Sequence, residues 1–214
     1  MSLIAPCLTA QTLEEYKAIT EKIKPFAHRV HIDVSDGEFA PVLLLGEEQL
    51  WWPPEWEVDI HLMVARPSEH LARIIAMKPA RIIFHVEVQE DRANIITQIK
   101  AAGIKAGIAL LRPTVPSTVA PLIQQADHVM IFSGNLGNYG GEASLMQLEK
   151  VRLVKAINPS VEIGWDGGVS VDNAYTLTQG GVDVLNTGGA IASASDPAEA
   201  YQALVREINK HGVI

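Results

Sequence analysis

Cysteine is nearly absent from this chain: Cys7 is the only one in 214 residues. An internal disulfide is therefore excluded, and a reducing compartment such as the cytoplasm is the expected setting. No stretch comes near the roughly 18 uninterrupted apolar residues that mark a membrane-spanning helix. The opening M-S-L-I-A-P lacks the basic start and long apolar stretch of a secretory leader. Positive charge is also in deficit, with 17 Lys and Arg against 25 Asp and Glu, a formal net charge of −8. That balance argues against nucleic acid and anionic membranes as partners. It leaves room for a small anionic ligand, because backbone amides or a bound cation can supply local positive potential. No linker, low-complexity tract or charge run divides the chain, so one domain over residues 1–214 is expected.

What is present is an alternation of short apolar, β-branched runs with longer amphipathic ones. The patterns predict strands at Leu3–Ala5, Arg29–Val34, Val58–Met63, Arg81–Val86, Lys105–Leu110, His128–Ile131, Glu162–Asp166 and Val182–Asn186. They predict helices near Thr12–Lys24, Ser68–Met77, Arg92–Ala102, Ser117–Gln125, Ser144–Ile157, Val171–Gln179 and Pro197–Lys210. Thr12, Ser68, Ser144 and Asp196 are the expected caps, with Glu15 completing a capping box for the first. A short helix is allowed between Gly46 and Trp56. Strands alternating with helices imply parallel pairing and right-handed crossovers. Eight such units in this length match a compact (β/α)8 barrel, with a doubly wound open sheet as the rival.

In a barrel the polar strand ends acquire a meaning, since active sites lie at the C-terminal face of the strands. His31 and Asp33, two apart, face inward together while Ile32 points out. The same rule pairs His61 with Met63 and His85 with Glu87. Asp166 ends the seventh strand in I-G-W-D-G-G. Any one of these fits a hydrogen-bonded barrel residue. Together, two imidazoles and two carboxylates can hold one divalent metal and leave positions open on it. Gly140-Gly141, Gly167-Gly168 and Gly188-Gly189 follow strands six, seven and eight. Such pairs make tight turns, and they also let backbone N–H groups approach a phosphate.

Taken in order, I-A-P-C at 4–7, H-I-D-V-S-D-G at 31–37, D-I-H-L-M-V at 59–64, F-H-V-E at 84–87, Y-G-G at 139–141, W-D-G-G-V at 165–169 and T-G-G-A-I at 187–191 are distinctive. The chain resembles the ribulose-phosphate 3-epimerase family from Ile4 to the last helix. The resemblance implies an isomerase that interconverts ribulose 5-phosphate and xylulose 5-phosphate, as a homo-oligomer, with a phosphorylated ketose as its small-molecule partner. It implies that His31, Asp33, His61 and Asp166 ligate one divalent ion, and that Asp33 and Asp166 transfer the proton. Substrate contacts are implied for Cys7, His61, Met63, Tyr139, Gly140, Gly141, Gly167, Gly168, Gly188 and Gly189. A site of two His and two Asp suits Zn²⁺, Mn²⁺, Fe²⁺ or Co²⁺ and does not choose among them.

The chain departs from the family pattern at several points. Cys7 stands where the family usually has Ser, and Ser35 where it usually has Met. Glu38 and Val42 replace residues of the usual H-F-V-P-N segment. L-G-N-Y-G-G is one residue longer than the usual P-G-F-G-G loop, and Gly189 replaces a common Ser. Because these changes surround the sugar and phosphate while the tetrad survives, retuned specificity is an alternative. A hexulose phosphate such as allulose 6-phosphate would be its substrate. A barrel that binds a phosphosugar without turning it over is the non-enzyme alternative. The W-W-P-P-E-W stretch at 51–56 is expected to fill a packing gap or a subunit contact.

Overall fold

A computed structural model describes residues 2–138 and 141–210. Eight parallel strands close into a barrel in sequence order. They are β1 (Leu3–Leu8), β2 (Arg29–Ser35), β3 (Glu57–Met63), β4 (Arg81–His85), β5 (Lys105–Leu110), β6 (His128–Phe132), β7 (Glu162–Asp166) and β8 (Val184–Thr187). β8 closes on β1, with Ala5 opposite Asn186. Around the barrel lie α1 (Leu13–Ile23), α2 (Pro67–Met77), α3 (Arg92–Ala101), α4 (Ala120–Gln125), α5 (Glu149–Ile157), α6 (Val171–Gln179), α7 (Gly189–Ala192) and α8 (Pro197–Ile208). The β2–β3 connection carries only a 3₁₀ turn at Glu47–Gln49, within the segment where a short helix was allowed. Among the described residues no helix is long and apolar enough to cross a membrane.

The period-2 alternation of the strands sorts their side chains into two sets. Val30, Ile32 and Val34 of β2, Val58, Ile60 and Leu62 of β3, and Ile163 and Trp165 of β7 join one large apolar core between barrel and helices. Each such side chain, fully buried, is worth roughly 1.5–3 kcal/mol. The intervening residues point into the barrel. Arg29, Asp59, Arg81, His128 and Glu162 form an ionic layer at the strands' N-terminal end.

Thr12 caps α1 in a full capping box with Glu15, and Asp196 accepts from Ala198 N–H and Glu199 N–H at the start of α8. Ser68 does not cap α2: Arg66 occupies the cap with Pro67 in the first turn, and Ser68 N–H bonds Glu90 instead. Ser144 precedes a 3₁₀ turn at Leu145–Leu148 that leads into α5, and makes no side-chain cap bond. β1 runs three residues past Ala5, to Leu8, with Pro6 at its register with Thr187 although proline gives that ladder no N–H. β8 begins at Val184, since Val182 N–H is committed to Leu177 O at the end of α6. Of the three tryptophans at 51–56, Trp56 is buried; Trp51 is half-exposed, its ring edge-on to Tyr16 at 6.0 Å.

Candidate active site

At the C-terminal face of the barrel, β2, β3 and β7 bring His31, Asp33, His61 and Asp166 together. One donor atom from each lies within 4.8 Å of the others. His31 Nε2 is 3.3 Å from Asp33 Oδ1 and 3.7 Å from Asp166 Oδ2. His61 Nδ1 stands 2.9 Å from Asp33 Oδ1 and 3.7 Å from Asp166 Oδ2. Both imidazoles are fully buried. β2 and β7 lie three strands apart around the barrel, so the two carboxylates approach the histidines from well-separated walls.

Electrostatics separates the two carboxylates. Burial pushes the Asp33 carboxyl up, but the hydrogen bonds and charges of His31 and His61 outweigh it and hold the group well below the usual range. Burial also pushes Asp166 up, Asp33's charge adds to it, and here the net direction is upward. Burial alone would lower His31; its contacts with Asp33 and the charges of Asp33 and Asp166 raise it. Burial, followed by the same two carboxylates, lifts the Cys7 thiol well above its ordinary value, so it stays protonated.

The cluster tests well against a divalent cation. Neither ring nitrogen of buried His31 has a well-aligned hydrogen bond among the described residues, although Nε2 faces two carboxylates. A buried imidazole left in this way is a cost that a bound cation removes. The donor set is two nitrogens and two carboxylates, within reach of a single ion.

Above the cluster opens a cavity of about 250 Å³. Asp33 and Asp166 reach its floor, with Cys7 and Met63 in its wall. Gly141, Gly167, Gly168, Gly188 and Gly189 also line it. Tyr139 and Gly140, expected as substrate contacts, lie outside the described residues. His31 and His61 sit beneath the lining. The Gly167-Gly168 pair is required by packing as well as by any ligand. A Cβ on Gly167 would lie 2.0 Å from Gly134 N and one on Gly168 2.1 Å from Ala143 N, and φ is +102° and +71°. These glycines let the β7 loop press against the β6 loop and bring the backbone of both to the cavity.

Sequence reading missed several lining residues. Thr9 donates its hydroxyl to Asp33 Oδ2. It lies two positions beyond Cys7, and the inward alternation of β1 was the available signal. Asn135 and Asn138, on the β6 loop, carried no periodic signal. Asn186 of β8 is a buried polar residue at the position beside Asp166 in the β7–β8 register. His85, paired with Glu87 in the sequence, contacts His61 rather than the cavity, Nε2 to Nε2 at 2.9 Å. Burial lowers its pKa to about 4, leaving a neutral ring.

A closed parallel barrel with ionisable side chains gathered at the C-terminal mouth belongs to the class of (β/α)8-barrel enzymes. The sequence model of the ribulose-phosphate 3 epimerase family matches residues 3–192. The chloroplastic ribulose-5-phosphate-3-epimerase of Arabidopsis thaliana is 31% identical over 82% of this chain and 66% of that protein. The cytoplasmic isoform of ribulose-phosphate 3-epimerase from Oryza sativa subsp. japonica is 28% identical over 96% of this chain and 93% of its own. Among solved structures, a 3-hexulose-6-phosphate synthase from Salmonella typhimurium superposes with a TM-score of 0.69 over 99% of this chain and all of that one. At 18% identity that likeness concerns the fold. The chain belongs to the ribulose-phosphate 3-epimerase family, a family of carbohydrate isomerases.

Proposed function

We propose that this protein is a divalent-metal-dependent 3-epimerase of a ketose phosphate, interconverting D-ribulose 5-phosphate and D-xylulose 5-phosphate. The observation that carries the reading is the gathering of His31, Asp33, His61 and Asp166 within 4.8 Å beneath the cavity. All four would hold the ion. When bound, it supplies Lewis-acid stabilisation of the negative charge that develops on the substrate's oxygens.

The chain's own residues supply the proton transfers. C3 of the sugar is acidic because the C2 carbonyl is adjacent. Asp33, held deprotonated, accepts the C3 proton, while Asp166, whose pKa is raised, delivers its proton to the opposite face. The reverse reaction exchanges the roles. Thr9 fixes the Asp33 carboxylate through Oδ2, leaving Oδ1 toward the histidines. Met63 and Phe132 give the cavity apolar wall that keeps water from the carbanion. The backbone of the β6, β7 and β8 loops, free of side chains at Gly141, Gly167, Gly168, Gly188 and Gly189, would receive the phosphate. The lone, buried Cys7 suits a reducing compartment such as the cytoplasm.

Purified protein should convert ribulose 5-phosphate to xylulose 5-phosphate, lose that activity to a chelator, and regain it with Zn²⁺, Mn²⁺, Fe²⁺ or Co²⁺. Absence of conversion with every ion would overturn the proposal and favour a binding-only barrel. A second reading, epimerisation of a hexulose phosphate, is favoured by one observation: the unusual Cys7 lines the cavity.

A further inference from the structure

His61 has two faces, and only one of them belongs to the cluster. Its Nδ1 looks toward Asp33 and Asp166, while its Nε2 lies 2.9 Å from Nε2 of His85. At that distance a hydrogen bond between two neutral rings contains one proton, so one Nε2 donates and the other accepts. His85 is in turn held in place. Its ring lies 4.8 Å from Phe39 and edge-on to Phe132 at 5.5 Å, and it is fully buried. On its far side, His85 Nδ1 stands 3.5 Å from Glu87 Oε2. Glu87 is fixed through Oε1, which accepts from Leu111 N–H at 2.9 Å and from the Thr114 hydroxyl.

We propose that His85 is a positioning residue that sets the tautomer and orientation of His61, with Glu87 setting His85. The inference rests on the metal reading above and extends it to two residues that touch neither cavity nor ion. For Nδ1 of His61 to offer a lone pair to the cluster, the ring's proton must sit on Nε2 and be donated to His85 Nε2. His85 then carries its own proton on Nδ1, on the side of the Glu87 carboxylate, whose Oε2 stands 3.5 Å away without hydrogen-bond alignment. The only other neutral arrangement puts the proton on His61 Nδ1, where it blocks ligation. A carboxylate at the far end favours the first arrangement, as outer partners of ligating histidines commonly do.

The test uses the full-length protein loaded with zinc. Long-range proton–nitrogen NMR on ¹⁵N-histidine protein should find His61 protonated at Nε2 and His85 at Nδ1. The reverse tautomers would overturn the proposal without any variant being made. Zinc affinity, measured by competition with a chromogenic chelator, supplies the second readout. His85→Leu removes the acceptor and should weaken zinc about 10- to 100-fold. His85→Gln, whose Oε1 can stand near the lost Nε2, should recover most of that loss. Equal affinities in wild type and His85→Leu, or equal losses in the Leu and Gln variants, would refute the relay while leaving the epimerase reading standing. A wild-type protein that binds none of Zn²⁺, Mn²⁺, Fe²⁺ and Co²⁺ would bring down both.

Discussion

Arg29 and Glu162 meet end to end at the floor of the barrel, Nη1 and Nη2 of the one each 2.8 Å from a carboxylate oxygen of the other. They begin β2 and β7, the two strands that end in the Asp33 and Asp166 site. The pair is joined by Asp59, Arg81 and His128, so each buried charge has a partner. Burial pushes the Glu162 carboxyl up, but Arg29 and His128 dominate and hold it far below the usual range.

Removing one partner strands the others. Glu162→Gln should destabilise the fold by about 3 kcal/mol at neutral pH, the scale for breaking a buried ion network. Burial also lowers the pKa of His128. Groups with depressed pKa values stabilise fully above their unfolded values and lose that contribution as pH falls. Wild-type stability should therefore decline below pH ~6.5 through His128 and again below pH ~4.3 through Glu162. Urea melts across pH should find the gap between wild type and variant narrowing below pH ~4.3.

The fold was legible because β-branched alternation and amphipathic helices repeat with a parallel-barrel rhythm. His31, Asp33, His61 and Asp166 were legible because each polar residue interrupts an apolar strand at its end. Other features left weaker marks. α7 opens on Gly189, a poor helix former, and four residues give no periodicity. The cap of α2 was misread because Ser68 is a better cap by type than Arg66, yet Pro67 fits the first turn. Asn135 and Asn138 reach the cavity from an irregular loop, where only tertiary packing decides direction. The contact between His61 and His85 depends on neighbouring strands, which no single run of sequence records.

The β7 loop offers a test that separates packing from mere flexibility. Gly168→Ala forces a Cβ against Ala143 N in a left-handed backbone, and should lower kcat/KM at least tenfold, about 1.4 kcal/mol. Gly103→Ala has φ of +75° with nothing within 4 Å. It should cost about 1–2 kcal/mol of stability and leave kcat/KM unchanged. Steady-state kinetics and thermal melts on both variants check the contrast.

Cys7 lines the cavity next to both carboxylates, so its replacement should be read in substrate preference. Cys7→Ser adds a stronger donor and should shift the ratio of kcat/KM between pentulose and hexulose phosphates about fivefold, or ~1 kcal/mol. An unchanged ratio accompanied by altered stability would limit Cys7 to packing.

The two carboxylates should be separately indispensable. Asp33→Asn and Asp166→Asn are each expected to lower turnover at least about 10²-fold, compared at saturating metal because each also removes a charged ligand. Near-wild-type turnover in either variant would contradict their paired roles.

Solvent exchange at C3 tests the central claim most directly. In a two-carboxylate reaction the proton taken by Asp33 differs from the one given by Asp166, and both carboxyls re-equilibrate with water between turnovers. Zinc-loaded protein turning over ribulose 5-phosphate in heavy water should yield xylulose 5-phosphate with one deuterium at C3, read by NMR or mass spectrometry. Conversion that leaves C3 fully protiated would contradict the account.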